Sequence, residues 1–445
     1  MSKVLLVGYN PPYLEGHSKI EAAHYRTWQF LEPLLSDGHA VCLCADSSNT
    51  DDAQLPLPEE WAGRLVYHAI PFRRESGWGQ HLQCIHDAFD PDCIVAVNFD
   101  SCLRTTKLRT DKPIWMDIYG DYLTIVQVIC HRMGADRGVP TSIAFVQRVL
   151  QKGDAFSGCS TPQSHALVGQ LSMAGRLSGS TFGYEFAHVI LPGASPMNTQ
   201  AVEQKERSFL SSQGVPGDSF VVLWCGGYNA WTDIETLFAG LEWAMAQESK
   251  VHYVSVGANT YQKTDNVYTR LLGMIQQSPH RNRFHMLGWR PWGEIPNYYR
   301  GSDVGLNIDA PHYETIYGTR TRLVEMIAAG LPVVTSLGCE LSYLIGRHGA
   351  GLTFEPGDRQ GLGEQILALA RDRDLYATTA KRALDYASND LSFGTTTIPV
   401  RNWVREPCLA PDKKPASFRT RMHRLEYQAR SIVRQAIWRV AGLDM

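Results

Sequence analysis

Short, almost wholly apolar runs ending in glycine, each followed by an amphipathic stretch, recur in both halves of the chain. The run at residues 3–8 (KVLLVG) has no polar alternation and reads as a strand buried on both faces. A loop over residues 9–18 carries Pro11, Pro12 and Gly16. A helical pattern covers 22–35, and Gly38 turns the chain into a second strand at Val41. Further strands are predicted at 65–69, 93–97, 114–117 and 155–158. The second half starts again. Residues 220–225 (FVVLWC) form a strand, Gly226-Gly227-Tyr228-Asn229 a loop and 233–246 a helix, with strands following at 252–256, 284–287, 303–307 and 332–336. Strand, glycine loop, helix, strand is the opening of a doubly wound α/β domain. Its recurrence predicts two Rossmann-like domains joined near residue 195, not one large sheet.

Composition narrows this picture without changing it. The chain has 445 residues, enough for two domains of about 200 residues each plus a tail. Hydrophobic residues make up 44% and charged residues 20%, as in an ordinary globular protein. The formal net charge of −3 implies no general affinity for nucleic acid. No apolar run reaches membrane-spanning length and the first residues have no signal-peptide layout, so a cytoplasmic protein is expected. The ten cysteines are scattered. Cys42 and Cys44 would point the same way along a strand, but no second pair or histidine cluster completes a zinc site, so buried, reduced thiols are expected.

Candidate chemistry concentrates in residues 307–334 (NIDAPHYETIYGTRTRLVEMIAAGLPVV). The helix predicted there has a core of Leu323, Val324, Met326, Ile327 and Ala328, with Gly330 as its C-terminal stop. Arg320 and Arg322 stand just before it, where a helix N-terminus already favours anions. Two guanidinium groups with backbone N–H groups suit a diphosphate. Glu325 lies within the apolar helix, where a carboxylate is costly unless paired. Two readings stand for it: a salt bridge to a neighbouring arginine, or hydrogen bonds to a pair of ribose hydroxyls. Together these features describe a nucleotide-sugar site.

The same stretch resembles the nucleotide-sugar motif of GT-B glycosyltransferases, specifically glycosyltransferase family 4. That motif reads Glu, seven residues, Glu, then a small-residue helix end and Gly-x-Pro-Val-Val. Here Glu325 and Ala329-Gly330-Leu331-Pro332-Val333-Val334 match, but the position of the first glutamate holds Tyr317, and the nearest acid is Glu314. The segment is closer to a bacterial branch with His-x-Glu-Thr and Arg-Thr-Arg, matched by His312-Tyr313-Glu314-Thr315 and Arg320-Thr321-Arg322. The resemblance implies a GT-B fold, an α/β architecture in which two Rossmann-like domains face each other across a cleft. The expected divisions are 1–195 for the acceptor side, 196–385 for the donor side, 386–411 for a helical crossing back to the first domain, and 412–445 for a tail.

It also implies sugar transfer from a nucleotide-sugar donor to a saccharide or lipid-linked acceptor, with retention of configuration. The setting would be surface polysaccharide or glycoconjugate synthesis. Neither a metal nor a cofactor is expected, since the resemblance is to GT-B enzymes and the Asp-x-Asp metal motif belongs to the other glycosyltransferase fold. Most relatives place a Lys or Arg pair in the loop after the first strand of the second domain. The corresponding loop here, residues 226–233, has no basic residue. The cationic role is therefore expected at Arg320 and Arg322, with Thr321 between them and Gly226 and Gly227 letting the backbone approach the phosphates. Glu314 is the candidate for the usual first-glutamate contact to the donor sugar, or else a surface acid. Asp117 and Asp121 end a first-domain strand where relatives hold a residue beside the sugar, and an N-cap role suits Asp121 better. Gly16, His17 and Arg26 are acceptor-side candidates. Asp117, Glu314 and Arg320 are the expected catalytic set.

Two other functional classes stay open beside transfer: an epimerase or phosphorylase on the same fold, and a degenerate binding or scaffold protein. The tail is separate. Phe418, Met422, Leu425, Ala429, Ile432, Ala436 and Val440 recur at steps of three and four among Arg419, Arg421, Arg424, Arg430, Arg434 and Arg439, after Lys413 and Lys414. Residues 415–445 thus predict a basic amphipathic helix. It would lie on an anionic membrane surface at the inner face, on a partner protein, or on the chain's own core.

Overall fold

The chain winds into a seven-stranded and a six-stranded sheet, both wholly parallel. The computed structural model describes residues 1–12, 20–46, 61–70, 77–196, 207–259 and 267–413. The first sheet holds β1 (Lys3–Tyr9), β2 (Ala40–Asp46), β3 (Leu65–Ile70), β4 (Cys93–Val97), β5 (Ile114–Asp117), β6 (Ala155–Gly158) and β7 (Ala187–Val189). The second holds β8 (Phe220–Cys225), β9 (Val251–Val256), β10 (Phe284–Gly288), β11 (Val304–Asn307), β12 (Val333–Ser336) and β13 (Gly351–Phe354). Their spatial orders, β3-β2-β1-β4-β5-β6-β7 and β10-β9-β8-β11-β12-β13, share one winding. Each reverses direction beside its first strand, which opens a crevice at the strand C-termini.

Buried residues explain why these runs form strands. Val4 to Val7, and Val221 to Trp224, are fully buried, as both faces of a parallel sheet demand. Helices cover both faces of each sheet and complete the crossovers. The fold is therefore the two-domain α/β arrangement expected from the sequence. β13, a short GLTF run, was not among the predicted strands.

The two chain crossings lie side by side. The Ala194 N–H donates to the Leu391 carbonyl at 2.7 Å. After the long helix Arg373–Asn389, the helices Phe393–Thr396 and Ile398–Arg405 return to the first domain. Val400 and Val404 pack in its core beside Trp115, whose ring meets that of Trp403 at 5.7 Å. The Arg401 guanidinium clasps the Asp37 carboxylate, and Asp154 accepts from the Ala410 N–H at 2.9 Å. Residues 414–445, including the predicted amphipathic helix, lie outside the described residues, as do Gly16 and His17. Among the described residues no helix is long and apolar enough to cross a membrane. The cysteines are unpaired, and most are buried, but Cys84 and Cys408 are exposed.

Candidate functional site

The crevices of the two domains face each other and enclose a cavity of about 360 Å³. Its second-domain wall includes Gly226, Gly227, Glu314, Arg320, Thr321, Arg322 and Glu325. The structure thus brings every donor-side residue named from the sequence to one place. Arg290, Trp289 and Trp292 from the β10 loop add to that wall. Tyr25, Tyr119, Gly120 and Cys159 come from the first domain. A roomier hollow of about 730 Å³ is lined by Trp243, Glu364, Arg371 and other residues of surface helices. No strand end or glycine loop reaches it, so the chemistry belongs to the interdomain cavity.

Close backbone approach builds the floor. Gly226 has φ of +127°, and a Cβ there would stand about 3.4 Å from the Arg322 guanidinium. Gly257, at φ +129°, packs so tightly that a Cβ would lie 2.0 Å from the Gly226 carbonyl oxygen. Only glycine serves at either position.

Arg320 and Arg322 lie two residues apart and live in different surroundings. Arg320 is buried and chelated. Its Nε donates to Asp309 Oδ2 at 2.8 Å, and Nη1 and Nη2 donate to the two Glu314 oxygens at 3.1 and 2.8 Å. Burial opposes its charge, but the two carboxylates outweigh burial and hold its pKa well above the ordinary value. This corrects the expectation that Arg320 offers a free cation to a diphosphate. Asp309, at the end of β11, and Glu314 already more than neutralise it. Glu314 is held there by the short helix Tyr313–Tyr317 and the turn at Gly318, whose added Cβ would collide with the Glu314 carbonyl oxygen. Burial raises the pKa of Glu314, and Arg320 offsets this in part. Glu314 is therefore a buried cavity acid, not a surface one.

Arg322 has no such partner. Its guanidinium lies over the Trp224 ring at 4.0 Å, and Nη2 donates to the Gly227 carbonyl at 2.9 Å. Nη1 is buried without a hydrogen-bond partner, and among the described residues Arg322 makes no ion pair. Burial lowers its pKa, with Asp309 opposing and Arg320 adding to the fall. Arg290 also has a buried Nε without a partner, and its Nη2 is 3.4 Å from Gln213 Oε1. Sequence reasoning missed Arg290. The signal for it was a basic residue just after the glycine that ends β10.

Glu325 is 2% exposed on the helix Thr321–Ala328 and still lines the cavity. Its oxygens accept from the Ser195 N–H at 3.1 Å and the Ser195 hydroxyl at 2.9 Å. The domains also meet where Tyr119 Oη and Thr321 Oγ1 stand 2.6 Å apart, and where Trp292 Nε1 donates to Tyr25 Oη at 2.8 Å.

The first-domain candidates are placed otherwise than expected. Asp117 and Arg26 do not line the cavity. Arg26 grips Asp117 with two bonds of 2.9 and 2.7 Å, and Asp117 also accepts from Ser157 Oγ at 2.6 Å. Both are essentially sealed from solvent. Asp117 is thus the counter-ion of Arg26, not an acid facing substrate. Asp121 caps the helix Tyr122–Met133 through the Thr124 N–H at 2.9 Å and accepts from Gln170 at 2.8 Å.

Comparison with known proteins agrees with this architecture. The family model described as glycosyl transferases group 1 matches residues 219–372, the second domain. No curated protein matches the chain by sequence. Among solved structures, HepE of Anabaena in complex with UDP and glucose is similar, with a TM-score of 0.64 and 17% identity over 91% of this chain and 100% of that one. Sucrose-phosphate synthase from Thermosynechococcus elongatus superposes with a TM-score of 0.67 and 17% identity, over 91% and 99% of the two chains. An E. coli structure titled trehalose-6-phosphate, bound with UDP-2-fluoro glucose, gives 0.63 and 12%, over 92% and 100%. The likeness is one of fold, and that fold is GT-B.

Proposed function

We propose that the chain is a glycosyltransferase that takes a sugar from a nucleoside diphosphate donor to a saccharide or lipid-linked acceptor. One observation carries the reading. Arg322 places a half-buried guanidinium group, with Nη1 sealed and without a hydrogen-bond partner and with no ion pair among the described residues, over a glycine floor in the cavity between two Rossmann-like domains. A buried cation without a carboxylate is costly unless an anion joins it. A diphosphate supplies that anion, with Arg290 as a second donor. The group 1 match over the same domain, and the UDP complexes of similar folds, support the same class of ligand.

The roles follow from position. Glu325 accepts from the ribose hydroxyls, and Glu314, clamped by Arg320, faces the transferred sugar. During transfer the bond from the sugar's anomeric carbon to the phosphate oxygen breaks with its electron pair on the diphosphate, the acceptor hydroxyl oxygen bonds to that carbon, and the hydroxyl proton passes to the departing phosphate oxygen. Negative charge grows on the departing diphosphate, where Arg322 and Arg290 stabilise it. Retention of configuration, a cytoplasmic setting and work on surface glycoconjugates complete the proposal. The basic residues beyond 414 would suit an acceptor held at an anionic membrane.

Calorimetric titration with UDP, GDP and ADP tests the reading. At least one should bind, and Arg322→Ala should weaken it about tenfold to a hundredfold through loss of charged hydrogen bonds. No binding by any of the three, or an Arg322→Ala variant that binds as well as the parent, would defeat it.

A further inference from the structure

The linker between the domains reaches a cavity residue, Glu325, through Ser195. On its first-domain side, the Leu191 carbonyl accepts from Gln29 Nε2 at 2.7 Å and from Arg26 Nη1 at 3.3 Å. Three residues on, the Ala194 N–H is held by the returning chain at Leu391. Ser195, 1% exposed, then turns both its N–H and its hydroxyl onto Glu325, one to each carboxylate oxygen. Two donors from a single residue fix a carboxylate's plane as well as its position, which one bond cannot do. A carboxylate has about four acceptor directions, and Ser195 takes two of them. Glu325 meanwhile lines the cavity.

We propose that Ser195 is a positioning residue for the donor's ribose. By chelating Glu325 it sets the carboxylate plane that the 2′- and 3′-hydroxyls meet, and it ties nucleotide recognition to the interdomain linker. The inference rests on the nucleotide reading of the cavity. It differs from a purely structural role in one measurable way. A residue that only relieves the cost of a buried carboxylate affects every nucleotide alike. A residue that aims the carboxylate affects discrimination between a ribose and a sugar lacking one hydroxyl.

The experiment is calorimetry on the full chain with UDP, GDP and ADP and their 2′-deoxy counterparts, using whichever pair binds most tightly. The parent protein should prefer the ribonucleotide by about tenfold, the worth of one charge-assisted hydrogen bond. Ser195→Ala keeps the backbone N–H donor but lacks the hydroxyl, and the preference should fall by about fivefold. Ser195→Thr, which keeps the hydroxyl, should restore it. Glu325→Gln marks the full loss. Thermal transitions recorded for each variant separate folding from binding. If Ser195→Ala lowers both affinities equally, or neither, the positioning role is overturned while the nucleotide reading stands. If the parent binds no nucleotide, the nucleotide reading fails and takes this inference with it; if it binds both sugars equally, the ribose role of Glu325 and this inference fail while the nucleotide reading stands.

Discussion

The two domains share one winding and yet leave different charge beside the cavity. In the first, Arg26 is spent within the protein. Asp117 takes two of its bonds, Gln29 Oε1 accepts at 2.9 Å, and the Tyr119 ring lies 4.6 Å from its centre. In the second, Arg320 is spent in the same manner on Asp309 and Glu314, but Arg322 is not. An arginine beside the crevice is therefore no sign of an anion site by itself. What marks the site is charge left over after the neighbours have been matched. By that measure the donor side of the cavity is built for an anion, while the first domain leaves no arginine over for one among its described cavity residues.

The strongest way to break this contrast is to remove the sealed arginines. Arg320→Ala leaves two carboxylates buried without their cation, and Arg26→Ala strands Asp117. Each should cost about 3–5 kcal/mol in chemical denaturation, the usual penalty for breaking a buried ion pair. Arg322→Ala removes a half-buried cation that makes no ion pair among the described residues, and its denaturation midpoint should hardly move. If Arg322→Ala destabilises as much as Arg320→Ala, the division into structural and ligand-facing arginines is wrong.

This division was not legible in the sequence, for a physical reason. Arg320 and Arg322 are separated by one residue and look alike. Their partners come from Asp309, at a strand end, and Glu314, turned inward by the short helix Tyr313–Tyr317. Spacing alone does not reveal that inward turn. The same holds for Asp117, whose partner Arg26 lies 91 residues away, and for Ser195, which meets Glu325 across 130. What was legible is what local pattern encodes. Near-continuous apolar strands, Gly226-Gly227 after β8 and the stop at Gly330 do not depend on distant partners. Those features placed the domains and the cavity floor, while the charge pattern waited on tertiary contacts.

A milder test works at the joint between the sealed and the open side. Tyr119 packs its ring on Arg26 and stands 2.6 Å from Thr321 Oγ1, next to Arg322. Tyr119→Phe keeps the ring and deletes the hydroxyl. The expected cost is about 1 kcal/mol, one neutral hydrogen bond, appearing as a loss of about fivefold in nucleoside diphosphate affinity. A loss larger than that of Arg322→Ala would mean that the interdomain contact, not the free guanidinium, governs binding.

The smallest effect is expected at the far end of the second sheet, where a buried titratable pair lacks a close carboxylate. His252 Nδ1 and His285 Nε2 stand 3.0 Å apart with their rings stacked, so one ring donates and the other accepts. His252 lies four residues before Val256, a cavity residue, or about 13 Å along the strand. Burial, then His285 and Arg283, push the His252 pKa down to about 4, with Asp218 opposing. A pKa depressed on folding adds stability that is fully present above the unfolded value near 6.5 and is lost as pH falls toward 4. Thermal midpoints measured from pH 7.5 down to 4.5 should therefore fall less steeply in His252→Gln than in the parent. Nucleotide affinity at pH 7.5 should be the same in both, because the pair is remote from the leftover charge at Arg322. Equal acid sensitivity in the two proteins would place the acid-labile group elsewhere. A change in affinity at pH 7.5 would show that the two ends of the sheet are coupled, and that the contrast between the domains is not confined to the cavity.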